Sequence, residues 1–329
     1  MGKRNDLAVV VWAPEENRSE QIAERFGAPC YQIHYFAYKR PLIAPIKYVP
    51  QAIKTLVVLW RQRPRVVYVT NPPVFAALVV ALYARLSGAQ FIMDTHSPAL
   101  FARKWRWSVP LQRMAARWAL VNVVDQPRYR RLFESWGAPA LVLEKPLAEC
   151  DGRDSAGEPQ PFRVTVINTF AADEPLEPVL EAARRLPDVC FTVLGDTALA
   201  DARTLARAPD NVEFPGYLLG DDYWRQLARS HVVMALTTYP YSLLAGGHDG
   251  LSLGKPLILS AQPALTEFYD RGVVFVENDA QSLVEGVQRI RQDEARYRRE
   301  IRELADEKRR EWQASFERLR ALVDEHCRG

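Results

Sequence analysis

The sequence predicts an α/β protein built from two doubly wound parallel-sheet domains and a long C-terminal helix. Three observations carry this. Short β-branched or aromatic runs alternate with longer helix-like segments along the chain. The alternation stops at a polar stretch rich in Gly and Pro, Glu149-Cys-Asp-Gly-Arg-Asp-Ser-Ala-Gly-Glu-Pro-Gln-Pro161, and then restarts. The 329 residues also suffice for two cores at about 150 residues per domain. The division expected is residues 1–150, a linker at 151–161, a second domain at 162–292, and a helix at 293–329 that bridges the two.

In the first domain, Leu7–Trp12, Tyr31–Tyr35, Val66–Thr70, Phe91–Asp94, Leu120–Val124 and Ala140–Leu143 read as buried strands, apolar without alternation and bounded by Pro, Gly or Asn. A first helix runs from about Ser19 to Phe26, with Asn17 and Glu20 spaced as a capping box and Gly27 as its stop. Further helices are expected near Ile46–Gln62, Val74–Leu86, Leu111–Trp118 and Tyr129–Trp136. In the second domain the strands are Phe162–Ile167, Val189–Leu194, Val212–Phe214, Val232–Leu236, Pro256–Ser260 and Val273–Val276. Helices near Leu176–Arg185, Asp221–Ala228 and Gln281–Ile290 fill the gaps. From Asp293 to about His326 the chain is nearly continuous helix former. Tyr297, Ile301, Leu304, Trp312, Phe316, Leu319 and Leu322 keep helical spacing along one face.

The net charge of +3 conceals an asymmetry: residues 1–150 carry +11 and residues 151–329 carry −8. No acid occurs between Glu24 and Asp94, and that interval holds nine cations. The basic half is expected to attract phosphate, on a lipid headgroup or on a ligand. The longest apolar run, Val74–Ala84, falls short of the roughly 20 residues that cross a bilayer core. The N-terminal run reads as a first strand and not as a signal peptide. Cys30, Cys150, Cys190 and Cys327 are scattered, which reads as reduced thiols in a cytoplasmic protein. No GxGxxG, P-loop, HExxH or GxSxG stands in a fitting context, and the five His and four Cys do not cluster, so no metal site is expected.

Open α/β sheets bind ligands beyond the carboxyl ends of their strands. In the first domain those positions are residues 13–19, Asn71-Pro-Pro73, Asp94-Thr-His-Ser97 and Asp125-Gln126. In the second they are Asn168-Thr-Phe170, Gly195-Asp-Thr197, Gly216-Tyr217, residues 237–250 and Ser260-Ala-Gln262. Two such domains facing each other would set the two groups across a cleft.

The ordered run Asn211-Val-Glu-Phe-Pro-Gly-Tyr217, Tyr223–Ser230, HVVMALTTYP and HDGLSLGKPLILS resembles the C-terminal nucleotide-sugar domain of GT-B glycosyltransferases. The similarity is to the retaining, glycogen-synthase-like group, glycosyltransferase family 4 in type. The stretch VVYVTNPPVFAALVVALYARLSGAQFIMDTHS is similar to that family's acceptor domain. The resemblance implies two Rossmann-like domains, the N-terminal one for an acceptor and the C-terminal one for a nucleotide-diphosphate sugar, with no further cofactor. Asp249 stands where the family's second glutamate would sit, ahead of Gly254-Lys-Pro256, and the first glutamate's place falls on Tyr241. The family's Arg and Lys for the donor diphosphate are absent; that segment reads Asn168-Thr-Phe-Ala-Ala-Asp-Glu-Pro175.

On this footing Asp249 would accept a ribose diol, with a helix N-cap as its plain alternative. Backbone N–H groups near Gly246, Gly247 and Gly250 would hold the diphosphate. His248 and Lys255 would add charge, and Asn168, Thr169 and Gly195 would line the donor site. Gly216 and Tyr217 would meet the base. The resemblance implies that His96 contacts the transferred sugar; Asp94 would orient it, or act as base if the reaction inverts. Arg18, with Asn17, would clamp an acceptor phosphate, or else be a solvated residue at a helix start.

The interval Lys39–Arg65 and the cluster Arg103–Trp107 mix cations with aromatics, a composition suited to an anionic membrane surface. The alternative is core packing, with 38–50 irregular and Ile53–Trp60 buried. Nucleic acid is disfavoured because no recognition motif occurs. The sequence thus points to a glycosyltransferase acting on a lipid-linked or oligosaccharide acceptor at the inner face of a membrane. An epimerase of the same fold and a non-catalytic binding protein remain as alternatives.

Overall fold

In the computed structural model residues 6–14, 17–35, 44–149 and 161–328 are described, and the proposed linker lies almost wholly outside them. The chain divides into two compact units. One runs to Pro146 and takes in the chain again from Glu311; the other is Leu147–Arg310.

The first unit is a six-stranded parallel sheet. Its strands are β1 (Leu7–Val11), β2 (Cys30–Gln32), β3 (Val66–Asn71), β4 (Gln90–Thr95), β5 (Val121–Val124) and β6 (Ala140–Val142), in the order β2-β1-β3-β4-β5-β6. Parallel neighbours need crossover connections, so helices cover both faces. On one face lie α2 (Ala44–Gln62), α3 (Val74–Ser87), α5 (Val109–Trp118) and α6 (Pro127–Ser135), over a core that includes Val10, Val67, Val69, Phe91 and Met93. On the other lies α1 (Asn17–Phe26), together with Trp312, Phe316, Leu319 and Val323.

Several expectations change here. The strand expected at 31–35 is β2, which pairs only with β1 and ends where Gln32 meets Val11, the last residue of its partner. The segment expected to be irregular is helical from Ala44. Pro45 sits in the first turn, where its missing N–H costs nothing, and only Pro50 deletes an interior hydrogen bond. Nor is Ile53–Trp60 wholly buried: Leu59 and Thr55 face inward, while Ile53, Val57 and Trp60 are exposed. The short α4 (Pro98–Phe101) was not expected, because four residues are too few to show a period.

The second unit is another six-stranded parallel sheet. Its strands are β7 (Phe162–Ile167), β8 (Val189–Leu194), β9 (Val212–Gly216), β10 (Val232–Ala235), β11 (Leu257–Ser260) and β12 (Val273–Val276), in the order β12-β11-β10-β7-β8-β9. The order reverses at β7, between β8 and β10, and in this topology ligands sit beyond the strand ends at such a point. The helices are α7 (Glu177–Arg185), α8 (Ala202–Leu205), α9 (Gly220–Ala228), α10 (Ala245–Ser252), α11 (Pro263–Phe268), α12 (Ala280–Gln292) and α13 (Glu294–Arg328). α8 and α11, like α4, escaped the sequence reading through shortness.

α10 lies directly on the sheet because its glycines lack side chains. A Cβ on Gly246 would meet Ile167 at 2.8 Å, and one on Gly250 would meet Leu257 at 2.5 Å. α13 buries Tyr297, Ile301, Leu304 and Ala305 in the second unit's core. Its later residues, from Glu311, belong to the first unit.

Candidate active site

In the second unit the carboxyl ends of β7, β10 and β11 are tied by polar contacts. The Thr237 hydroxyl donates to Asp173 at 2.9 Å, and the Thr237 N–H donates to Ser260 Oγ at 2.9 Å. Ser260 donates in turn to Asn278 at 2.7 Å, and Asn278 returns a bond to the Thr237 carbonyl at 3.0 Å. The loop after β7 closes on itself. Asn168 Oδ1 accepts from the Phe170 N–H at 2.7 Å, and the Glu174 carboxylate accepts from the Thr169 N–H at 2.5 Å and its hydroxyl at 3.0 Å. Burial raises the Glu174 carboxyl above its ordinary range, and Asp173 nearby adds to this against the pull of Thr169. Gly195 is obligatory here: a Cβ would stand 1.9 Å from the Asn168 carbonyl oxygen.

Asp249 is the fifth residue of α10, whose N-cap is Leu244. The N-cap alternative for Asp249 is therefore excluded. Its carboxylate accepts a 2.6 Å hydrogen bond from the Tyr223 hydroxyl on α9. Burial, then the negative charge of Asp249, pushes the Tyr223 phenol far above its ordinary value, so it remains a donor. Tyr223 was missed in the sequence as a functional residue, since no spacing links it to position 249.

The other residues of this expected set separate by role. Gly247 and Gly250 use their lack of a side chain for packing, against Tyr269 and Leu257. His248 is buried, its ring stacked on Phe268 at 5.1 Å and its Nδ1 3.4 Å from the Tyr269 hydroxyl. Lys255 does not reach solvent. It is buried and donates to the Ala228 carbonyl at 2.6 Å, satisfying the end of α9. Gly216 closes β9 with a positive φ of 84°, and Tyr217 after it is 69% exposed, open to stack on a ligand.

In the first unit Asp94, His96 and Arg18 come together. Asp94 is fully buried at the end of β4, with Arg18 Nη2 3.2 Å from one carboxylate oxygen and His96 Nε2 3.5 Å from the other. Burial opposes ionisation, but the Arg18 charge, His96 and a hydrogen bond from Tyr68 hold the Asp94 carboxyl below the usual aspartate range. Arg18 also donates to the Leu143 carbonyl at 2.5 Å. It is therefore not a solvated helix-start residue, and its guanidinium is committed inside the unit. The side chain of Asn17 lies outside the described residues. His96 remains 26% exposed, and its backbone N–H donates to the Asn71 carbonyl at 2.8 Å. Asn71 in turn donates to Gln112 at 3.1 Å. The buried Asp94 carboxylate lies within ion-pair distance of His96 Nε2 and so biases the orientation of the ring electrostatically.

Among the described residues no group of three or more His, Cys, Asp or Glu is placed to hold a metal ion. Among the described residues Cys30, Cys190 and Cys327 form no disulfide, and Cys150 lies outside them.

The fold matches solved structures over nearly the whole chain. The structure of Anabaena Alr3699/HepE in complex with UDP and glucose superposes with a TM-score of 0.71 at 14% identity, covering 97% of this chain and 99% of that one. Sucrose-phosphate synthase from Thermosynechococcus elongatus gives 0.72 at 13% identity, covering 98% and 99%. The chain has the GT-B glycosyltransferase fold. The apo form of the lipopolysaccharide outer core galactosyltransferase WaaB is a further GT-B neighbour, with a TM-score of 0.66 at 11% identity over 97% and 99% of the two chains. The family model described as glycosyl transferase-like matches residues 174–323, a span that contains Tyr223 and Asp249. No curated protein sequence matches the chain.

Proposed function

We propose that this GT-B chain is a glycosyltransferase moving a sugar from a nucleotide-diphosphate sugar to a lipid-linked or polysaccharide-precursor acceptor at a membrane surface. The reaction proceeds with retention and without a metal. The observation that carries the donor half is Asp249, held by Tyr223 and set on α10, the helix whose Gly246 packs on β7 and β10, within the stretch that matches glycosyl transferase-like proteins. A carboxylate in a fixed rotamer accepts both hydroxyl hydrogens of a ribose. The first-turn N–H groups of α10, at Ala245–Gly247, lack partners within the helix and suit a diphosphate. The UDP in the Anabaena complex supports a uridine donor. His96, oriented by Asp94, contacts the transferred sugar.

Calorimetry with UDP-, GDP- and ADP-sugars tests this. Wild type binds one class, and Asp249→Ala abolishes the heat of binding. Absence of binding by wild type, or binding untouched by Asp249→Ala, overturns the donor site. The anomeric signal of the product by NMR checks retention, and turnover in excess chelator checks metal independence.

One observation favours a second reading, a non-catalytic nucleotide-sugar binder. The loop after β7 carries Asp173 and Glu174 where the resemblance leads one to expect diphosphate-binding cations. Release of free nucleotide with lipid or oligosaccharide acceptors present decides between them.

A further inference from the structure

Helix α3 has the sequence VFAALVVALYARLS, apolar all round except for Arg85 and its last residue. Such a helix belongs inside a protein, yet Leu82 and Leu86 are 49% and 65% exposed. The helices beside it carry matching exposed residues. On α2, Val49, Ile53, Val57 and Trp60 form a stripe opposite the inward-facing Gln51, Thr55 and Leu59. On α5, Met114 and Trp118 point outward. The three helices lie on the same face of the first sheet.

Cations border the apolar strip. Lys54, Arg61, Arg85, Arg113 and Arg117 are exposed, and α2, α3 and α5 contain no acid. Arg85 lies over the Trp118 ring at 4.3 Å. Along α5 runs an open groove of about 620 Å³, lined by Pro110, Arg113, Met114, Arg117, Trp118 and Trp136. Two guanidinium groups beside two indoles and a thioether suit an anionic amphiphile, with phosphate on the Arg pair and apolar chain on the rings.

We propose that the outer face of α2, α3 and α5 docks on an anionic lipid bilayer, and that the α5 groove takes a lipid phosphate headgroup. This rests on the membrane-acceptor reading above and assigns it a surface. Exposed apolar side chains and cations on the same acid-free helices match the interface of a bilayer with acidic lipids. They do not match single-stranded nucleic acid, which calls for ring platforms along a cationic track.

The test is flotation of the full chain with vesicles of phosphatidylcholine alone or mixed with phosphatidylglycerol, with UDP-sugar calorimetry on the same preparations. Wild type floats with the mixed vesicles only, and release follows rising salt. Arg113→Ala and Arg117→Ala each weaken partitioning roughly fivefold, and Ile53→Glu with Leu86→Glu abolishes it. None of these changes alters UDP-sugar binding. Glycerol phosphate in solution does not compete, which separates a bilayer from a free phosphate. Equal recovery with neutral and acidic vesicles, or recovery indifferent to these substitutions, overturns the surface. Self-association in place of flotation overturns it too, and gives the face to a second copy. Lost flotation with intact UDP-sugar binding refutes the surface alone. Intact flotation without UDP-sugar binding refutes the transferase reading and leaves the surface standing.

Discussion

At the residue scale, the fully buried Asp94 carboxylate sets the first site. Its ionised form is favoured by Arg18 and His96 against the cost of burial. Removing one partner of a buried ion pair leaves the other charge without compensation. Asp94→Asn should therefore cost about 3–5 kcal/mol, measured by urea unfolding at neutral pH. The sign of the pH dependence follows from the lowered carboxyl. Stability from Asp94 is fully present above the unfolded-state value of about 3.9 and is lost as pH falls through the lower native value. The gap between wild type and Asp94→Asn should thus stay flat near neutrality and close in acid. A gap that widens in acid would contradict the pairing. In the second unit, Tyr223→Phe removes the hydroxyl that orients Asp249 without emptying space. The loss expected is about 1.5–3 kcal/mol for a hydrogen bond to a charged group, read as at least a tenfold weaker Kd for the donor sugar. Unchanged affinity would mean that the Tyr223 bond serves the fold only.

At the scale of elements, α10 shows what was legible and what was not. Its Gly-rich sequence predicts backbone N–H groups at a diphosphate, and the structure adds a second use of the glycines. In the structure the Cα atoms of Gly246 and Gly250 face strands β7, β10 and β11, so the glycines let a helix sit closer to the sheet than side chains permit. Gly250→Ala should cost about 1–3 kcal/mol by overpacking, measured as thermal stability; no loss would show that α10 can shift outward freely. The strands were legible because buried parallel strands are continuous apolar runs, and Leu7–Val11 or Phe162–Ile167 could be little else. Candidate positions such as Asp94, His96 and Asn168 were legible because they follow such strands. Partners such as Tyr223 for Asp249, Glu174 for Thr169 and Gln112 for Asn71 were not, because pairing across elements depends on how helices pack on the sheet. The same blindness hid the commitment of Arg18 to Asp94 and of Lys255 to the end of α9.

At the scale of the whole molecule, the first unit is discontinuous in sequence: the chain completes its second core before returning from Glu311. Those returning residues belong to the first unit's core. Phe316 is 2% exposed, stacked on Trp312 at 5.0 Å and against Phe26 at 5.0 Å. Trp312 donates to the Glu144 carbonyl at 3.0 Å, and Arg25 lies over its ring. Phe316→Ala should cost about 3–5 kcal/mol, and the loss should appear in the melting of the first unit, followed by near-UV signals from its tryptophans. A fragment of residues 1–149 lacks this cover and exposes Ile22, Phe26 and their neighbours in the sheet core. It should bind a hydrophobic dye and unfold without cooperativity, and joining residues 311–328 to it by a flexible linker should restore a cooperative transition. Cooperative unfolding of residues 1–149 alone would show that the segment from Glu311 is an accessory. Failure of the joined segment to rescue would show that the first unit needs the second for its own folding.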